Sequence, residues 1–324
     1  MDIDVSALKI LTRERGLSLD YVVDAIEQAL LVAYNHTPGA VEQARVHLDR
    51  TTGHVQVFAK ELDEEGNALG EFEVTPEGFG RVAASLARGV ITQRLKAATD
   101  EATVAEFAAK EGDIISGVIQ QGSDRRVIFV DLGPIEGKLP PEEQVPDEDY
   151  SHGRRLRCYV VSVRKGPKGP EVTLSRSHPK LVEELFRFEV PEIADGSVVI
   201  NGLAREAGHR TKIAVSSNVA GIKPKGSCIG PMGTRVRAVM NELGGEKIDI
   251  VDYSDDLAQY VAHALSPAQV ISSVVLDPVN RIVRVVVPDY QLSLAIGREG
   301  QNARLAARLT GAKIDIKSDA ELPE

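Results

Sequence analysis

Cys228-Ile229-Gly230-Pro231-Met232-Gly233-Thr234-Arg235-Val236-Arg237 leads to Glu246-Lys247-Ile248-Asp249-Ile250. Ala295-Ile296-Gly297-Arg298-Glu299-Gly300-Gln301-Asn302-Ala303-Arg304 leads to Ala312-Lys313-Ile314-Asp315-Ile316. The two stretches share one pattern: isoleucine, a Gly-x-x-Gly loop, a helical run carrying arginine, and a closing Lys-Ile-Asp-Ile strand. First glycine and lysine are 17 residues apart in one copy (230 to 247) and 16 in the other (297 to 313). Such a spacing marks a supersecondary unit used twice.

A Gly-x-x-Gly turn between two helices lets the backbone come close to a sugar-phosphate chain, because neither glycine carries a Cβ. The helix that follows offers unpaired N–H groups and a positive dipole to phosphate. A single such loop commonly does no more than end a helix. Two, in one repeated context, predict tandem KH modules that clamp single-stranded RNA, about four nucleotides each. The competing reading is that the copies serve only as scaffold. The candidate RNA-binding residues are Ile229, Gly230, Pro231, Met232 and Gly233 in the first loop, and Ile296, Gly297, Arg298, Glu299, Gly300, Gln301 and Asn302 in the second. The first loop has no charge of its own and relies on Lys223, Lys225, Arg235 and Arg237, whereas the second carries Arg298. The two clamps are therefore expected to be unequal.

Upstream, from Gly112, short β-rich runs (Asp113–Ile119, Arg126–Gly133, Leu156–Val163, Glu171–Ser175) are separated by glycine and proline, which predicts a small closed barrel. An OB-type barrel of the S1 kind stacks bases on aromatic side chains beside a basic rim. Phe129 is the candidate platform, with Arg125, Arg126 and Arg154 near it in sequence; the alternative for Phe129 is barrel core. The acidic run Pro140 to Asp149 reads as a solvated barrel loop. Before the barrel, Leu19, Val22, Val23, Ile26 and Leu30 keep helical spacing. Alternation follows around Val46, Leu48, Val55 and Val57, with turns at Thr51-Thr52-Gly53 and at Asp63 to Asn67. A second helical period runs from Phe79 to about Glu111.

The fold class expected is multidomain α+β and β: an N-terminal α+β domain (1–107), an S1-type OB β-barrel (108–178) and two tandem KH modules of the type II, prokaryotic, α/β kind (179–254 and 255–324). Length agrees, since 324 residues suit several small modules better than one core. The net charge of −10 seems to disfavour a nucleic acid, but it is unevenly spread. Residues 1–150 hold 14 Lys+Arg against 28 Asp+Glu (−14), and residues 151–324 hold 24 against 20 (+4). One basic group, Arg154 to Lys168, has no acid within it. Cys158 and Cys228 are too few for a disulfide framework or a metal site and read as buried thiols. The acidic N-terminus and the lack of a long apolar run predict a cytosolic chain without a signal peptide or membrane span. No nucleophile elbow, P-loop or metal-ligand cluster is visible, so no enzyme, cofactor or metal is expected. A monomer is expected.

The order of modules, together with Glu189–Ile193, Ala204–Val215, Asn241–Ile250 and Ala295–Asn302, resembles the NusA family of bacterial transcription termination/antitermination factors. Ala25–Leu30 and Gln93-Arg94-Leu95 resemble it more weakly, and the likeness covers essentially the whole chain. The resemblance implies that the N-terminal domain docks on RNA polymerase near its RNA exit channel and that the barrel and KH modules receive nascent single-stranded RNA. Pausing, intrinsic termination and antitermination would be modulated by where the RNA is held, with other transcription factors as further partners. It adds Arg304 and Arg308, on the helix after the second loop, to the candidate RNA contacts. Arg205, Arg210 and Lys212 are expected on a strand of the first KH module, in phosphate contacts or surface ion pairs. Some relatives carry acidic repeats after the second KH module; this chain stops at Glu324, so partners that need them are not expected. There is no tryptophan, and Ala312 stands where an aromatic residue is expected. The rival reading is an S1/KH RNA-binding protein of translation or RNA turnover.

Overall fold

The computed structural model describes residues 3–14, 18–62, 68–122, 126–167 and 169–321. The expected turn at Asp63 to Asn67, Arg125 and Lys168 lie outside them. The chain divides into two compact units, residues 1–106 with 165–170, and residues 107–164 with 171–324.

In the first unit the spacing from Leu19 does form a helix. After α1 (Val5–Glu14), which sequence periodicity did not reveal, α2 (Leu19–Asn35) buries Val22, Val23, Ile26, Leu30 and Tyr34. Strands β1 (Ala44–Leu48), β2 (Val55–Leu62) and β3 (Ala68–Glu73) make an antiparallel sheet in that order. The β1–β2 turn is fixed by the Asp49 carboxylate, which accepts from the N–H groups of Thr51 and Thr52 at 2.7 Å each. Helix α3 (Phe79–Ala108) supplies Phe79, Ala83 and Ala87 to the same core.

The second unit begins with five strands, β4 (Ile114–Gln120), β5 (Ile128–Asp131), β6 (Glu136–Leu139), β7 (Arg155–Gly166) and β8 (Gly169–Ser175), closed into a barrel in the order β4-β5-β6-β8-β7. Inward-facing Ile119, Val130, Leu139, Leu156 and Leu174 fill it.

Next come α4 (Pro179–Glu189), α5 (Pro191–Ala194), β9 (Val198–Glu206), β10 (Arg210–Ser217), α6 (Pro224–Ile229), α7 (Thr234–Glu242) and β11 (Lys247–Asp252). Then α8 (Leu257–Ala264), β12 (Ser272–Asp277), β13 (Ile282–Val287), α9 (Leu292–Ile296), α10 (Gln301–Thr310) and β14 (Lys313–Ser318) repeat the arrangement. In each copy the middle strand pairs antiparallel with the first and parallel with the last: Arg210 faces Glu206 and Lys247, and Ile282 faces Asp277 and Lys313. The duplication read from sequence is thus a duplication of topology, the type II KH order, twice.

The modules are fastened in series. The barrel's Tyr159 joins the first KH core and stacks on His178, ring centroids 4.5 Å apart. Beside it Arg176, with a side chain only 1% exposed, pairs with Glu148 and donates to the carbonyls of Arg157 and Glu242 at 2.7 Å each. Glu148 belongs to the acidic run expected to be a solvated loop. Instead its carboxylate is buried, because an arginine at the end of β8 needs a counter-charge away from water. On the other side of the first KH module, small residues Ala204 and Ala214 and Val251 lie under α8 and α10 of the second, sharing a core with Val261, Leu265, Leu305 and Leu309. Ala312 is buried in that core, so it is a packing position. Both cysteines are buried, and burial pushes each thiol up to about 12, as suits packing residues.

Candidate nucleic-acid interface

The two Gly-x-x-Gly loops have the same backbone. Gly230 and Gly297 sit at φ 73°, ψ 171° and φ 78°, ψ 169°, a region open essentially only to glycine. Met232 and Glu299 are both left-handed at φ 54°, and Gly233 and Gly300 both at φ 73°. A side chain at Gly230 would strike Arg235, and one at Gly297 would strike the backbone nitrogen of Asn302, each at 2.7 Å. Each loop is propped from the following helix: Arg237 donates to the carbonyls of Gly233 and Met232, and Arg304, its counterpart, to that of Glu299 at 3.1 Å. Ile229 and Ile296, just before the loops, are both part-exposed apolar residues.

What surrounds this shared backbone differs. Met232 projects uncharged into solvent. Of the cations around it, Lys225 pairs with Asp252 at 3.4 Å, and Arg235 pairs with Glu192 at 2.9 Å while donating to the Ser227 carbonyl. Lys223 is exposed, on the rim of a cavity of about 610 Å³ with Gly230, Pro231 and Arg235. At the second loop Arg298 and Glu299 are 94% and 84% exposed, with only a 3.9 Å contact between their charged ends.

Four candidates of the second module have structural partners. Asn302 is buried, and its amide donates to the carbonyls of Leu265 (2.9 Å) and Ala295 (3.0 Å), so it fastens the loop from beneath. Gln301 and Arg304 both reach Glu206 at the end of β9, and Arg308 lies 3.6 Å from the same carboxylate. Glu206, His209, Lys247, Arg298, Glu299 and Arg304 line a cavity of about 640 Å³ between the two KH modules. Glu206, His209 and Lys247 were not found by reading the sequence. Glu206 stands 98 positions before Arg304, so no local spacing connects them.

Arg205, Arg210 and Lys212 are committed elsewhere. Arg205 forms a fork with Glu246 at 2.9 Å with both side chains buried, a buried pair where a surface contact was expected. Asp249 holds Arg210 at 2.8 Å and Lys212 at 2.9 Å, and the Lys212 ammonium also donates to the Ser266 carbonyl. The covering second module removes Lys212 from solvent, so it has no access to phosphate.

On the barrel, Phe129 alternates with Ile128 and Val130, which belong to the core, and lies half-buried on the opposite face. Its ring packs over the backbone of Gly122, and its neighbour on β6 is Lys138, paired with Glu171 at 2.8 Å. Arg126 is exposed, whereas Arg154 is turned to the acidic loop and pairs with Asp149 at 3.0 Å. Among the described residues no group of three or more His, Cys, Asp or Glu could hold a metal ion, and no helix is long and apolar enough to cross a membrane.

Comparison with known proteins converges on one family. Residues 176–253 match the model of the NusA-like first KH domain, 257–324 that of the NusA-like second KH domain, and 5–69 that of the NusA N-terminal domain. The chain is similar to the transcription termination/antitermination protein NusA of Mycobacterium tuberculosis, 58% identical over 330 residues, covering 100% of this chain and 95% of that protein. It is also similar to NusA of Bacillus subtilis, 45% identical over 99% of this chain and 92% of that one. A solution structure of the N-terminal domain of NusA from B. subtilis aligns with 29% of this chain at 35% identity, with a TM-score of 0.26.

Proposed function

This chain belongs to the NusA family of bacterial transcription termination/antitermination proteins, and from that membership we propose that it binds RNA polymerase through residues 1–107 while its other modules hold nascent single-stranded RNA. The barrel (108–178) and KH modules (179–254 and 255–324) form the RNA track, and pausing, intrinsic termination and antitermination follow from where the transcript is held. Phe129 with Arg126 begins the track. The first KH loop, Ile229 to Gly233 with Lys223 at its rim, continues it, and Ile296 to Gly300 with Arg304 and Arg308 ends it. The protein acts as a monomer in the cytoplasm and performs no chemistry on its RNA.

The observation that carries this reading is the pair of loops with one backbone conformation, both on a single compact unit that also contains the barrel. Two glycine-defined clamps at a fixed separation hold a strand in one register, which independent clamps on a flexible tether would not do. Family membership favours transcription over the translation or RNA-turnover reading. Crosslinking the full chain in a bacterial lysate tests the assignment: links from residues 3–106 to polymerase are expected, and links to ribosomes with none to polymerase would reject it.

A further inference from the structure

The second KH module differs from the first in one respect that its loop backbone does not explain. Arg237 and Arg304 occupy equivalent positions, four residues after the last glycine of each loop, and each props its own loop. Arg304 alone also holds a carboxylate. Glu206 receives the Arg304 Nε at 2.6 Å and Nη2 at 3.1 Å and the Gln301 amide at 3.0 Å, with Arg308 at 3.6 Å. Two planar nitrogens of one guanidinium on two oxygens, plus two further donors, is how proteins seat a phosphate. Glu206 is mostly buried, and it sits on the wall of the cavity that Arg298 and Lys247 also line. The Arg304 hydrogen bond is the main reason its carboxyl is held at about 2, so it is a full anion at any physiological pH.

We propose that Glu206 is a built-in stand-in for an RNA phosphate: it occupies the Arg304–Gln301–Arg308 seat when no RNA is bound, and RNA crossing between the KH modules must displace it. The inference rests on the RNA-binding reading and deepens it. Two consequences follow from the geometry. The first loop, whose Arg237 holds only loop carbonyls, engages RNA without displacing a charge, and the second engages after it. The same displacement releases a fastening between the modules, because Glu206 belongs to the first and its three partners to the second. Strand binding thus exchanges one ion pair between the modules for a phosphate contact, while their shared apolar core keeps the two loops in register.

The test is the affinity of the full chain for an unstructured, fluorescein-labelled RNA as a function of salt, comparing wild type with Glu206→Gln and Glu206→Asp. Glutamine keeps the size and a hydrogen-bonding amide but removes the charge; aspartate keeps the charge. Glu206→Gln is expected to bind about tenfold tighter at moderate salt, with a log–log salt slope steeper by roughly 0.7 for each phosphate newly seated. Glu206→Asp should keep the wild-type slope, and adding Arg304→Gln to Glu206→Gln should remove the gain. Unchanged or weaker binding of Glu206→Gln, at an unchanged slope and with a single cooperative melting transition, would show Glu206 to be a fastening only and overturn the proposal. A Glu206→Gln chain that fails to keep the wild-type fold leaves the decision to Arg304→Gln alone: RNA affinity at least threefold weaker than wild type supports a phosphate on this seat, and unchanged affinity overturns it. Absence of RNA binding by the wild-type chain would instead reject the RNA reading itself, and this inference with it.

Discussion

The two KH modules share a fold and a loop backbone but differ in how much of their charge is already spent. In the first, Arg205, Arg210 and Lys212 on β9 and β10 are held by Glu246 and Asp249, and the second module closes over that sheet. In the second, the corresponding sheet pair, Arg284 with Asp315 at 2.8 Å, stays partly exposed, and Arg298 reaches solvent from the loop. An internal duplication therefore need not preserve function position by position. The first copy, covered by the second, turns the charge of its sheet into fastening, while the second leaves its sheet pair and loop arginine in contact with solvent.

The sharpest way to break this comparison is to remove one arginine from each sheet. Arg205→Ala strands the buried Glu246 carboxylate and is expected to destabilise the unit by about 3–5 kcal/mol, whereas Arg284→Ala removes a half-exposed pair and should change stability by about 0–1 kcal/mol. Denaturant midpoints of the full chain measure both, and equal shifts would refute the distinction. Next are the first glycines of the loops. Both occupy a backbone region that costs about 1–3 kcal/mol for any other residue. Gly297→Ala should be the worse of the two, because its Cβ meets backbone nitrogen, while Gly230→Ala meets side-chain carbons of Arg235; a lower melting temperature for Gly230→Ala would contradict this.

Charge changes within the loops should act on binding. Converting Arg298 and Glu299 to Asp, or Pro231 and Met232 to Asp, lowers the charge of either loop by two and is expected to weaken RNA affinity about tenfold in each case. Fluorescence anisotropy reads both, and unchanged affinity in both would place the RNA elsewhere. The smallest effect is one of pH. The folded-state carboxyl of Glu206 is depressed from 4.5 to about 2, so the stability it contributes is present above about pH 4.5 and lost as pH falls toward 2. The stability difference between wild type and Glu206→Gln should close over that window, and a difference independent of pH down to 2 would contradict the Glu206 clasp.

Much of this architecture was legible in the sequence because it is written in local patterns. The Gly-x-x-Gly loops, the Lys-Ile-Asp-Ile strands and the β-rich barrel runs each lie within a few residues, and periodicity or glycine spacing carries them. What escaped was set by contacts across modules. Whether Arg205 meets phosphate or an acid depends on Glu246, 41 positions away just before β11, and Arg304 depends on Glu206 in the preceding module. Asn302 looked like a loop residue ready for RNA, but the turn that brings it under Leu265 buries it. Glu148 looked solvated because its run is acidic, and only Arg176 at the far end of the barrel shows otherwise. Phe129 was undecided between core and surface until register put Ile128 and Val130 on the inner face.

The central claim is that one RNA strand is held by two clamps on one unit. Crosslinking of a transcript carrying 4-thiouridine, in an elongation complex reconstituted with the full chain, tests it directly. Crosslinks are expected at Phe129 and at both loops, Ile229 to Gly233 and Ile296 to Gly300. Crosslinks absent from both loops, or confined to residues 3–106, would contradict it.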